Sequence, residues 1–175
     1  MTLRHIAVIG AGTMGSGIAQ TCAAAGHDLL LIDISEQALE RGLHAMQKNL
    51  DRQVSKGTLT CEQATDTLQR IRTSTHYIDM NDMDMVIEAA TENLALKRSI
   101  LQQIATHVRP DCLIASNTSS LSITSLAAGL RRPERVIGMH FFNPAPLMAL
   151  VEVVSGLATA PALAATLYDT ATAWG

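Results

Sequence analysis

The chain has 175 residues, enough for one domain with a sizeable core and too few for two. Hydrophobic residues make up 47% and charged residues 17%, which excludes a disordered segment, and 3% aromatics leaves the core to aliphatic side chains. A formal net charge of -3 excludes a surface built for polyanions, so no nucleic-acid partner is expected.

Cys22, Cys61 and Cys112 are odd in number and lack C-x-x-C spacing, so no metal site is expected and they read as reduced thiols of a cytoplasmic protein. Met1 to His5 pass directly into a short apolar run, without the long apolar stretch and cleavage site of a signal peptide. No run reaches the roughly 18 apolar residues of a membrane span, so no membrane partner is expected.

In chain order, Ile6 to Ile9 form a short apolar run ended by Gly10, and Met14 to Ala25 is then rich in small, helix-compatible residues up to Gly26. A second apolar run, Leu29 to Ile32, ends at Asp33. Ser35 and Glu36 open a helix predicted to run to about Val54, with Gly57 as its terminator. Thr58 to Gln69 is predicted helical, whereas Ile71 to Ile78 is compatible with strand or loop. Further apolar runs are Met85 to Ala89, Leu113 to Ala115, Val136 to Met139 and Leu150 to Val154. Between the first two, Leu96, Ile100 and Ile104 recur at helical spacing within Asn93 to His107. Strands apolar on both sides, alternating with helices, predict an α/β fold with a mostly parallel sheet covered on both faces.

Gly10-Ala11-Gly12-Thr13-Met14-Gly15 fits G-x-G-x-x-G between a strand and a helix, the setting in which that pattern signals a dinucleotide. Gly10 allows the tight turn, Gly12 lets backbone approach a pyrophosphate, and Gly15 lets helix and strand pack closely, with phosphate at the helix N-terminus. Asp33, eighteen residues beyond Gly15, ends the second strand where a carboxylate accepts from ribose hydroxyls and repels a 2′-phosphate. With Ile34 rather than Arg next, the expected cofactor is NAD. The fold is therefore read as Rossmann-type and doubly wound.

Met139-His140-Phe141-Phe142-Asn143-Pro144-Ala145-Pro146 ends one strand, and another containing Glu152 follows. Two prolines in three residues bar a continuing strand, so the chain turns. A turn centred near Pro146 sets His140 and Glu152 six residues to either side, opposite one another in an antiparallel pair near the C-terminal end of the sheet. An ionised Glu on one ring nitrogen suits a general base, since it fixes the tautomer and stabilises the imidazolium. On these residues alone, a structural histidine beside a surface carboxylate stays open.

IAVIGAGTMGSGIA, Val86 to Asn93, Ala115 to Ser120 and HFFNPAP, in this order, resemble the L-3-hydroxyacyl-CoA dehydrogenase family, and the HFFNPAP region looks most like its bacterial 3-hydroxybutyryl-CoA and 3-hydroxyadipyl-CoA branches, the latter from phenylacetate breakdown. The resemblance implies NAD-dependent oxidation of an L-3-hydroxyacyl-CoA to the 3-ketoacyl-CoA. It implies His140 as general base, Glu152 as its orienting partner, and Ser119 and Asn143 as hydrogen-bonding groups around the substrate oxygen. Asn117, Glu92 and Lys97 would lie beside the cofactor with Thr13 and Met14 of the glycine loop, and Lys56 is best placed for a CoA phosphate. Ala149 departs from the pattern, which commonly has Lys between Met and Leu there.

Resembling proteins continue into a helical domain that dimerises and closes over the acyl-CoA. This chain stops at Gly175 after the helical run Ala162 to Trp174, so residues 1–175 are expected to be the NAD-binding domain alone. A homodimer is expected of the full-length enzyme. Two other classes stay open: a non-catalytic NAD-binding module, and a dehydrogenase of a sugar acid, which would share the fold and hydride chemistry.

Overall fold

The computed structural model describes residues 3–175. The elements are β1 (His5–Ile9), α1 (Thr13–Ala24), β2 (Asp28–Ile32), α2 (Glu36–Ser55), α3 (Cys61–Gln69), β3 (Ile71–Ser74), β4 (Met85–Glu88), α4 (Leu94–His107), β5 (Leu113–Ser116), α5 (Ile123–Ala127), β6 (Val136–Phe141), β7 (Val151–Ser155) and α6 (Pro161–Ala173). The strands form one sheet in the order β3-β2-β1-β4-β5-β6-β7. Every neighbouring pair is parallel except β6 with β7, which is antiparallel. The fold is the expected Rossmann-type α/β architecture. Strand order reverses between β1 and β4, which opens a crevice at their carboxyl ends.

Side chains alternate across the sheet and both faces are buried. Ile6, Val8, Leu29, Leu31 and Ile87 pack with Ile18 and Cys22 of α1, Met46 of α2 and Leu167 of α6. Ala7, Ile9, Leu30, Ile32 and Val86 pack on the other face with Leu101 and Ile104 of α4 and Leu126 of α5. This two-sided burial is why the strands read as continuous apolar runs.

Local signals set the helix ends. Ser35 caps α2, its Oγ accepting from the Ala38 amide at 3.2 Å. The helix expected from Thr58 begins at Cys61 instead, because Thr60 and Gln63 form a reciprocal capping box. The open stretch Ile71 to Ile78 splits into β3 and a 3-10 turn from Tyr77 to Met80. The stripe expected on α4 is corrected: Leu96 is 53% exposed, and the buried face is Lys97, Ile100, Leu101 and Ile104. A charged residue takes the inward position because a carboxylate meets it there.

Among the described residues no helix is long and apolar enough to cross a membrane, no group of three or more His, Cys, Asp or Glu side chains is arranged to hold a metal ion, and the three cysteines are free.

Candidate active site

Gly10 has φ +99° and its amide donates to the Ile32 carbonyl at 2.7 Å. A Cβ on Gly10 would lie 2.6 Å from Ala90 Cα, and one on Gly15 would lie 1.7 Å from the Gly10 carbonyl oxygen. These two positions therefore exclude side chains for the fold's sake. A Cβ on Gly12 would meet nothing within 4 Å, so that position is open towards the cleft. Gly12 is also the N-cap of α1 and supplies no side-chain cap, which leaves the first amides of the helix for an anionic group. A dinucleotide phosphate fits this cradle.

Asp33 is partly committed to the same loop. Its Oδ2 accepts from the Ala11 amide at 2.8 Å and its Oδ1 from the Ser35 amide at 2.9 Å. A carboxylate offers about four lone-pair directions, so two remain for ribose hydroxyls. Ile34 beside it is 86% exposed.

From the loop a cleft of about 460 Å³ runs along the carboxyl ends of the strands, lined by Gly12, Thr13 and Met14 at one end, by Glu92, Lys97, Asn117 and Ser119 along its wall, and by His140 and Asn143 at the other. Residues from five separate segments thus meet in one place.

At the far end, β6 and β7 pair His140 directly with Glu152. The His140 Nδ1 lies 2.8 Å from Glu152 Oε2. An ionised carboxylate only accepts, so it selects the Nδ1–H tautomer and leaves the Nε2 lone pair of a neutral ring as the basic site. Glu152 is half-exposed and His140 is mostly covered, with the Phe142 ring tilted against it at 4.5 Å between centroids. Asn117 anchors this end, its Oδ1 accepting from the Phe141 backbone amide at 2.8 Å while its backbone N–H donates to the Glu88 backbone carbonyl at 2.8 Å.

Along the wall, Glu92 Oε1 accepts from the Thr118 hydroxyl at 2.8 Å, the Ser119 amide at 2.8 Å and the Ser119 hydroxyl at 3.1 Å. Burial raises the Glu92 pKa, but these hydrogen bonds and the charge of Lys97 outweigh it, so the carboxyl is held below its ordinary value. Lys97 is 1% exposed, and its ammonium is bound by Glu88, itself fully buried, and lies 3.7 Å from Glu92. Sequence reasoning passed over Glu88. The available signal was a carboxylate ending an apolar central strand, since a charge buried there requires a partner.

A second groove between α1 and α2 is lined by Ser16, Gln20, Arg41 and Asn49 and shares Gly12, Thr13 and Asn143 with the cleft. Lys56 lines neither one. It is exposed and caps the end of α2 opposite to Ser35, about 30 Å away along a helix of 20 residues.

Fold and cleft together define a dinucleotide-binding domain of the dehydrogenase type. A sequence model described as "3-hydroxyacyl-CoA dehydrogenase, NAD binding domain" matches residues 5–175, and the chain belongs to that family, whose cofactor is NAD. It is 46% identical over 175 residues to the 3-hydroxyadipyl-CoA dehydrogenase of Escherichia coli, covering all of this chain and 37% of that protein. It is 43% identical over 164 residues to the 3-hydroxybutyryl-CoA dehydrogenase of Clostridioides difficile, covering 94% of this chain and 58% of the other. The crystal structure of the (S)-3-hydroxybutyryl-CoA dehydrogenase of Ralstonia eutropha superposes with a TM-score of 0.97 at 47% identity, covering 99% of this chain and 62% of that one. The chain therefore spans between about a third and three fifths of the length of these relatives.

Proposed function

We propose that residues 1–175 form the cofactor-binding half of an NAD-dependent L-3-hydroxyacyl-CoA dehydrogenase and carry its proton-transfer residues. The observation that bears most weight is the His140–Glu152 contact at 2.8 Å in the cleft that begins at the glycine loop. A module that only bound NAD would have no use for an imidazole with a fixed tautomer at the far end of that cleft.

In this reading His140 Nε2 takes the proton of the substrate 3-hydroxyl, and Glu152 stabilises the imidazolium that results. Bound between the glycine loop and the wall from Glu92 to Lys97, NAD would supply the acceptor for the hydride of C3. Ser119 and Asn143 hold the substrate oxygen near His140, and the wall from Glu92 to Lys97 holds the cofactor. Asp33 and the amides at the start of α1 hold the adenosine and phosphate end. The groove between α1 and α2 meets the cleft at Gly12, Thr13 and Asn143 and gives a long ligand somewhere to lie, which favours a CoA thioester over a compact sugar acid. Lys56 would meet a CoA phosphate only if the ligand extended along α2 to its far end.

Relatives named for 3-hydroxyadipyl-CoA and 3-hydroxybutyryl-CoA support a short-chain or dicarboxylic acyl-CoA substrate, in fatty-acid or aromatic-acid oxidation such as that of phenylacetate. Reduced cysteines are consistent with a cytoplasmic enzyme. A second domain would close over the acyl chain, and a homodimer is the assembly we expect. The test is isotope transfer: 3-hydroxybutyryl-CoA labelled with deuterium at C3 must yield deuterated NADH, and unlabelled NADH would refute the mechanism.

A further inference from the structure

Beneath the cleft lies a buried cluster centred on Glu88. Glu88 is 0% exposed at the end of β4, the central strand beside the point where strand order reverses. Its Oε2 accepts from the Lys97 ammonium and, at 3.1 Å, from the Ser116 hydroxyl; its Oε1 accepts from the Ala90 amide at 2.9 Å. Three donors from three segments thus converge on one buried carboxylate.

Two of those donors belong to the cleft. Ala90 and Lys97 both line it, and Ala90 is the residue against which Gly10 packs so closely that a Cβ there would come within 2.6 Å. Lys97 reaches the cleft wall while only 1% exposed, so its ammonium is held back from water and aimed by what binds it from below. Of its three N–H donors one is taken by Glu88, and the nearest other carboxylate, Glu92, is 3.7 Å away. Burying a lysine and a glutamate carries a desolvation cost that an apolar pair packed here would avoid. A charged pair at the floor of a ligand cleft is therefore better explained by what it positions than by stability.

We infer that Glu88 is a positioning residue for the cofactor: it fixes the Lys97 ammonium at the cleft wall and the Ala90 backbone under Gly10, so that NAD meets a prearranged donor. This rests on reading the cleft as the NAD site.

The test measures NAD affinity of the 175-residue chain by calorimetry for K97M, E88Q and the E88Q/K97M double variant. K97M is expected to weaken binding about tenfold, the loss of one charge-assisted hydrogen bond. E88Q is expected to weaken it comparably in the parent and to add nothing in the K97M background, because Gln keeps an acceptor oxygen for the Ala90 amide while the lost charge acts only through Lys97. Unchanged affinity in E88Q, or losses that simply multiply, would overturn the inference while leaving the cofactor site intact; unchanged affinity in K97M would remove Lys97 from the cofactor wall and the inference with it. Either single variant leaves an unpaired buried charge and can fail to fold. E88D avoids this: it keeps the charge and withdraws the carboxylate by one methylene. A folded E88D that binds NAD severalfold less tightly supports positioning, and parental affinity in E88D overturns it.

Discussion

The indole of Trp174 donates from Nε1 to His27 Nε2 at 2.7 Å, while His27 Nδ1 lies 3.0 Å from the Leu3 carbonyl oxygen. Both contacts are satisfied only by a neutral ring protonated on Nδ1, because Nε2 must accept. Trp174 follows α6 and stacks on Phe141, the residue after His140, at 6.2 Å between ring centroids. The end of α6 is thus fastened both to the turn between α1 and β2 and to the strand carrying His140.

Burial lowers the His27 pKa below its ordinary 6.5, against the opposing pull of the Leu3 carbonyl and of Asp28. The unfolded chain takes up this proton near pH 6.5 and the folded chain only at lower pH. The stability held by neutral His27 is therefore fully present above about 6.5 and is lost as pH falls through the folded value. Thermal melts should show the midpoint dropping between pH 7.5 and 5.5, with a smaller drop in His27→Gln. Trp174 is the sole tryptophan, so its fluorescence reports on the contact directly. Identical pH slopes in both proteins would count against this.

Gly12 and Gly15 are expected to fail in different ways. Gly15→Ala drives a Cβ to 1.7 Å from a backbone oxygen, so the loop or α1 must shift, at a cost of about 1–3 kcal/mol or more. Gly12→Ala adds a methyl into open space at an ordinary φ of -72° and should leave the melting midpoint within a degree or two. That methyl stands where the phosphate has to approach, so NAD binding should fall at least tenfold. Melting curves and NAD titrations of the two variants check both halves.

What the sequence disclosed and what it hid divide along physical lines. The glycine loop was legible because helix start, strand end and turn all leave local marks. His140 opposite Glu152 was legible because two prolines fix the centre of the turn, and antiparallel register follows from counting outward. The pairing of Glu88 with Lys97 was hidden, since nine residues across a strand, a loop and a helix have no fixed spacing, and only the family resemblance placed Lys97 at the cofactor. The same limit hid the link from Glu92 to Ser119, 27 residues apart and joined only once β4 and β5 lie side by side. Leu96 misled for a related reason: its spacing from Ile100 fits an apolar stripe, but the partner waiting inside was a carboxylate.

Asp33 offers a third separation. Its carboxylate holds the Ala11 and Ser35 amides, and its charge opposes a 2′-phosphate. Asp33→Asn keeps one acceptor oxygen and loses the charge. We expect NAD to bind several times more weakly and the preference for NAD over NADP to narrow by about tenfold, since one unit of charge repulsion at close range is worth roughly 1 kcal/mol or more. Titrating both dinucleotides against both proteins measures the ratio, and an unaltered preference would place the selectivity elsewhere.

His140 and Glu152 should separate chemistry from binding. His140→Ala removes the basic nitrogen but none of the groups that line the glycine-loop end of the cleft, so NAD affinity should stay within about twofold while oxidation of a 3-hydroxyacyl-CoA falls by about 10²–10⁴. Glu152→Gln retains a hydrogen-bonding group but not the charge that stabilises the imidazolium. Its amide can also donate to Nδ1, which selects the wrong tautomer and directs the ring proton at the substrate. Oxidation should fall by a smaller factor than in His140→Ala, because the basic nitrogen remains but is poorly oriented. Rates are expected to be low even in the parent chain, because one wall of cleft excludes water poorly, so single-turnover NADH formation with excess protein is the suitable assay. Parental rates in His140→Ala would show that the proton leaves by another route.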